Sequence, residues 1–173
     1  MRIIVALMLS LLVSSAFACS QAPAISLRNQ EADLITLSHL IQRSKNNIIL
    51  LSIFQVSCAP CEAEIRYLLD LKNKKMKANQ PSFDLVLIDS KESREDTYKF
   101  LDKNNFEPDE ALSDLYGSLD GPYKIKAFPR LIVINTKGML IRDFSGNELY
   151  ELRSSDKLAE AIDALIAKPD CQK

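Results

Sequence analysis

The chain has 173 residues, of which 47 % are hydrophobic and 26 % charged, a balance that fits a globular domain and excludes disordered, collagenous and coiled-coil classes. Its 22 basic and 23 acidic side chains nearly cancel, so electrostatics gives no reason to expect a nucleic-acid partner. A chain of this length forms one domain that needs no disulfide or metal scaffold to fold.

Arg2, the apolar stretch Ile3 to Val13 and the small-residue sequence Ser14-Ser15-Ala16-Phe17-Ala18 read as a secretory signal peptide over residues 1–18. The apolar stretch is too short to span a bilayer comfortably, and no other segment approaches the required length. Export places the remainder in an oxidising compartment, the bacterial periplasm, where cysteines can pair. Cys19 directly follows the cleavage region and leaves two alternatives open. It is either a lipidation site, which would anchor the protein to a membrane, or one half of a structural disulfide with Cys171. The organisation expected is a leader (1–18), an N-terminal segment (19–33), one α/β domain (34–168) and a C-terminal tail (169–173).

Leu34 to Leu37 reads as a short strand, with Ser38 as N-cap of a short helix through Leu40 and Ile41. Asn47 to Phe54, with the run Ile48-Ile49-Leu50-Leu51, has the pattern of a strand covered on both faces. From Ala59 to about Ala78 the spacing of Cys61, Ile65, Leu68, Leu69, Lys72 and Met76 predicts an amphipathic helix, with Lys72 to Lys77 as its solvated end. Phe83 to Ile88 is a second apolar strand, and Ser93 to Asn104 a helix with Tyr98 and Leu101 on one side. A short helix is expected around Glu110 to Tyr116. Leu131 to Ile134 and Met139 to Phe144 are two strands joined by a tight turn at Gly138. Ser154 or Ser155 would cap a last helix carrying Leu158, Ile162, Leu165 and Ile166.

The chemistry lies in Ser57-Cys58-Ala59-Pro60-Cys61, between a buried strand and a helix. The helix dipole and free amides there favour a thiolate on Cys58, the species that attacks disulfides. Cys61, one turn further in, can then resolve the mixed disulfide. Pro60 suits the first helical turn, where its missing N–H has no partner to lose. An inert structural disulfide would be a weak staple because so small a ring removes little chain entropy. Half a zinc site lacks ligands, since the chain offers only Cys19, Cys171 and the lone His39 besides, so no metal is expected.

On these residues the chain resembles the thioredoxin superfamily, and within it the exported TlpA/ResA-like branch of thiol-disulfide oxidoreductases. The resemblance runs from about Leu34 to Ile166 and rests on Leu37-Ser38-His39-Leu40, Cys58-Ala59-Pro60-Cys61, Glu64 and Tyr123-x-Ile125-x-Ala127-Phe128-Pro129. It implies a thioredoxin-like α/β fold, a central mixed sheet flanked by helices with an N-terminal strand and helix extension. Pro129 matches the family's cis-proline beside the dithiol, and the backbone at Phe128 is implied to pair with an extended substrate, alongside Ala59 and Pro60. A proline at the start of a strand is also tolerable on physical grounds, since it need not donate to the ladder. Glu64 is either a proton-transfer group for the dithiol or, like Glu62, a favourable charge in the first helical turns.

The sequence departs from the family pattern at several points. Ser57 replaces the tryptophan before the first cysteine, Ser52 stands where classical thioredoxins keep a buried aspartate, and Arg66 stands where the branch often has a proline. The function expected is extracytoplasmic dithiol-disulfide exchange with protein substrates, in the direction of reduction, re-reduced by an upstream dithiol donor and needing no cofactor. Apocytochromes and copper-site proteins are the clients the branch suggests. The competing readings are a non-catalytic peptide-binding module and a copper-site assembly protein. His39 is expected to be a surface helix residue.

Overall fold

A computed structural model describes residues 19–170; residues 1–18 and Cys171 lie outside the described residues. The elements are β1 (Ser20–Gln21), β2 (Ser26–Arg28), β3 (Leu34–Thr36), α1 (Leu37–Arg43), β4 (Ile48–Phe54), α2 (Ala59–Lys77) and β5 (Asp84–Ser90). They continue as α3 (Arg94–Asn104), β6 (Glu110–Asp114), β7 (Arg130–Asn135), β8 (Met139–Phe144), α4 (Gly146–Ser154) and α5 (Lys157–Ala167). The strands form one mixed sheet in the order β1-β8-β7-β4-β5-β6-β2-β3. β4 runs parallel to β5 and β5 to β6, whereas β7 is antiparallel to β4.

Every residue of β4 is buried because both faces are covered, which is why its sequence is almost continuously apolar. Ile48, Leu50 and Phe54 join one cluster with Ile65 and Leu68 of α2 and Leu158 and Ile162 of α5. Ile49, Leu51 and Ile53 join the other, with Ile25, Leu27, Ile35 and Leu40. This alternation follows from the two-residue period of a strand. Each such side chain contributes roughly 1.5–3 kcal/mol on burial.

Four local expectations are corrected. The segment Glu110–Asp114 is a strand, because Ala111 and Leu112 are buried where they extend the parallel sheet beside Leu87 and Ile88, and that pairing overrides helix propensity. Helix α1 starts one residue before Ser38, with Thr36 as N-cap: Thr36 Oγ1 accepts from His39 N at 3.3 Å while His39 Nδ1 accepts from Thr36 N at 3.4 Å. Ser154 and Ser155 end α4, and α5 follows Asp156, which is left-handed with φ of 57° and makes no side-chain cap. The basic stretch of α2 is only partly solvated, since Lys72 and Lys75 are buried and pair with Asp109 and Asp163, while Met76 is exposed. The residues before Leu34 also add β1 and β2 to the sheet, held by the buried Ala22, Ile25 and Leu27.

Asp109 serves two buried groups at once, because it also accepts from the Leu85 amide at 2.7 Å. Asp109→Ala would strand the Lys72 amine and an amide of β5, so a loss of about 2 kcal/mol is expected in urea unfolding, below the range for fully buried pairs because Asp109 is half-exposed. Asp163→Ala, at a more exposed acid, should cost less.

Candidate active site

Strand β4 delivers the chain to a turn in which Cys58 N donates to Gln55 O at 3.0 Å, and α2 starts at the next residue. Cys58 is thus the N-cap, with extended dihedrals (φ −93°, ψ 96°), and its Sγ accepts from Cys61 N at 3.3 Å. The sulfur occupies the place of an N-cap oxygen, where amide donors and the helix dipole both favour negative charge. Cys58 and Cys61 form a disulfide with Cα atoms 5.2 Å apart. Cys58 is half-buried between exposed Ser57 and Ala59, whereas Cys61 is fully buried on the stripe that continues to Ile65 and Leu68. The asymmetry follows from position, since a cap residue stands outside the helical cylinder and the third helical residue turns toward the sheet.

Glu64 lies one helical turn beyond Cys61 and is buried. The α2-facing side of β4 reads Ile48, Leu50, Ser52, Phe54, and the single hydroxyl in that row donates to Glu64 Oε1 at 3.2 Å. Ser52 therefore partners the buried acid from the position where a second acid was absent from the sequence. Glu64 Oε2 has no hydrogen-bond partner, and burial pushes its carboxyl group up to about 8 against the weaker opposing effects of Ser52 and Arg153. Glu62 is a surface group that accepts from Arg66 at 3.1 Å, and the Arg66 guanidinium lies 5.0 Å from the Phe106 ring centre. Of the two glutamates, only Glu64 is built into the interior.

The Phe128-Pro129 peptide bond is cis and Pro129 is buried. Arg130 pairs with Ile53, so the residues before it fall beside the end of β4, at the edge of the sheet from which the dithiol projects. Phe128 packs against the cluster that contains Cys61. Gly146, at the start of α4, was not singled out by sequence: a Cβ there would stand 3.1 Å from Pro129 O and 3.4 Å from Phe128 O, so the missing side chain lets α4 start against this segment. Ala59 and Pro60 are exposed on the α2 side, Cys19 lies by β1 in a hollow shared with Lys168 and Asp170, and His39 is exposed on α1. No group of three or more His, Cys, Asp or Glu that could hold a metal ion occurs among the described residues. Nor is any helix among them long and apolar enough to cross a membrane.

A family model described as thioredoxin-like matches residues 46–140, and the chain belongs to that family. Solved structures with the same fold include an uncharacterized thioredoxin-like protein from Porphyromonas gingivalis, at 18 % identity and a TM-score of 0.69 over 87 % of this chain and 94 % of that one. They also include the thioredoxin domain of a thiol-disulfide oxidoreductase from Bacteroides vulgatus, at 20 % identity and a TM-score of 0.61 over 79 % of this chain and 94 % of that one. A thiol-disulfide oxidoreductase from Bacteroides fragilis matches at 21 % identity and a TM-score of 0.62, covering 79 % of this chain and 98 % of that one. No curated relative matches the chain in sequence.

Burial of Glu64 has a thermodynamic consequence. With its carboxyl group raised from 4.5 to about 8 by folding, the native state holds a proton that the unfolded chain has already lost over that interval, so stability falls as pH rises from about 5 to 8. Glu64→Gln keeps the shape and removes this proton, and is expected to flatten part of that fall when melting temperatures are compared at pH 5 and pH 8.

Proposed function

We propose that the protein is an exported thiol-disulfide oxidoreductase that reduces disulfides of client proteins through Cys58 and Cys61. The observation that carries this reading is the arrangement of the pair: a half-exposed sulfur capping a helix, linked to a fully buried sulfur behind it. In the reduced protein the Cys58 thiolate attacks one sulfur of a client disulfide, forming a mixed disulfide and releasing the first client thiolate, which takes a proton. Cys61 then loses its proton and attacks Cys58 Sγ, closing the Cys58–Cys61 disulfide and expelling the second client thiol. Two electrons pass to the client, and an upstream dithiol donor returns them. Glu64, neutral near physiological pH when buried beside Ser52, is suited in its ionised form to take the proton of Cys61.

The names of the structures from Bacteroides vulgatus and Bacteroides fragilis agree with this chemistry. Reduction rather than oxidation is favoured by the Ala59-Pro60 dipeptide, which lacks a histidine between the cysteines, and by Glu62 and Glu64, which do not stabilise a thiolate further. A client segment in extended form would lie across Ala59, Pro60, Phe128 and Pro129. The reading of residues 1–18 as a secretory leader supports export. For Cys19 we favour the structural disulfide with Cys171 over lipidation, since Cys19 shares its hollow with Asp170, the residue next to Cys171.

Trapping in the native exported compartment tests the assignment of roles. Cys61→Ser should accumulate mixed disulfides with client proteins, visible as bands lost on reduction, because release needs the second thiol. Cys58→Ser should accumulate none; trapping by Cys58→Ser and not by Cys61→Ser would reverse the roles.

A further inference from the structure

A second acid is built into the site from the other side of the turn. On β5 the side chains of Leu85 and Leu87 enter the same cluster as α2, and the two-residue period puts Asp89 on that face, at the end of the strand and in register with Phe54. Asp89 is fully buried. Its Oδ2 accepts from Glu92 N at 3.2 Å and from Thr97 Oγ1 at 3.2 Å, and the Val56 amide, in the turn that leads to Cys58, lies near enough to favour the charged form of the carboxyl group. Its Oδ1 is equally buried and has no partner. The carboxyl group therefore ties the end of β5 to the start of α3, beside the Gln55–Cys58 turn. Gln55 Nε2 adds a bond from the same turn to Ser90 O at 3.4 Å.

We propose that Asp89 is a positioning residue for the nucleophile, holding the turn that presents Cys58 and opposing the Cys58 thiolate with its own charge. The inference rests on the reading of Cys58 as the attacking thiol. The close donors, Glu92 N and Thr97 Oγ1, both face Oδ2, and Oδ1 is buried without a partner, so the site offers the charged form little to offset its burial. Burial raises the group to about 7, opposed by the Thr97 hydroxyl and reinforced by the charge of Glu92, so the negative charge arrives around neutral pH. Around it, Ser113 of β6 is the neutral register partner, and Glu62, Glu92, Asp96, Lys99 and Lys103 share the cleft beside Ser57. These groups are nearer to water, and Lys99 is already paired with Glu95. Asp89 and, on α2, Glu64 are buried and screened less than these, and Glu64 is common to the wild type and the variants below.

The test is the rate of Cys58 alkylation by iodoacetamide in the reduced protein, followed from pH 5 to pH 10 with the modified residue identified by peptide mass. Asp89→Asn keeps the shape and an acceptor but cannot ionise, and its rate profile should move to lower pH by about half a unit or more, roughly a threefold faster reaction at fixed pH below the midpoint. Thr97→Val keeps the acid but removes a donor to its ionised form, so it should move the midpoint in the same direction by less, and it decides the matter if Asp89→Asn does not fold. A purely structural role would lower the melting temperature of either variant and leave the midpoint where it is in the wild type, which would overturn the proposal. Labelling at Cys61 instead of Cys58 would overturn the reading of the attacking thiol itself.

Discussion

The site depends on one constraint: a fully buried strand must end where a helix begins, with a cysteine at the junction. Strand β4 can be apolar on both faces only because helices cover one side and the N-terminal strands and α1 the other. That double cover fixes β4 at the centre of the sheet, so the helix start after it is held in one place. A free cysteine on a mobile loop would have neither the amide of Cys61 nor the helix dipole aimed at its sulfur. Neighbouring strands then bring the remaining parts by register, β7 carrying Phe128 and Pro129 to one side of β4 and β5 carrying Asp89 to the other.

Two buried polar pairs on the α2 side of the sheet lie at the end nearest the dithiol. Ser52 meets Glu64, and Asp89 meets Thr97, with Phe54 between the two strand positions. Each acid keeps one buried oxygen without a partner. Leaving such an oxygen unpaired costs about 1–3 kcal/mol, a cost that a purely structural core would avoid with apolar side chains. Buried acids whose ionisation is shifted into the neutral range beside a reactive pair are what proton handling requires.

Much of this was legible in the sequence wherever local pattern and tertiary role coincide. The apolar run of β4, the dithiol at its end and the stripe through Cys61, Ile65 and Leu68 all gave their places directly. Where the outcome depends on a partner distant in sequence, pattern failed. Glu110–Asp114 has helical residues but is a strand because β5 offers it an edge, and Lys72 and Lys75 are buried because Asp109 and Asp163 wait for them. Helix α4 was missed although Ser145 and Glu148 carry its cap, since Gly146 and Asn147 at its start are poor helix formers. Ser52 looked like a loss until Glu64 stood opposite it, and Asp89 carried no signal beyond an acid at the end of an apolar strand.

The central claim is that Cys58 and Cys61 form a reversible two-electron couple in a fold that persists in both states. Equilibration of the exported protein in glutathione buffers of graded potential, with thiols counted by alkylation and mass, tests it directly. The account requires a single transition in which both cysteines gain or lose their thiols together, with the same midpoint approached from the oxidised and from the reduced side and an unchanged far-ultraviolet spectrum. A pair that stays oxidised across the whole range, or whose reduction unfolds the protein, would contradict it and leave the disulfide a structural one.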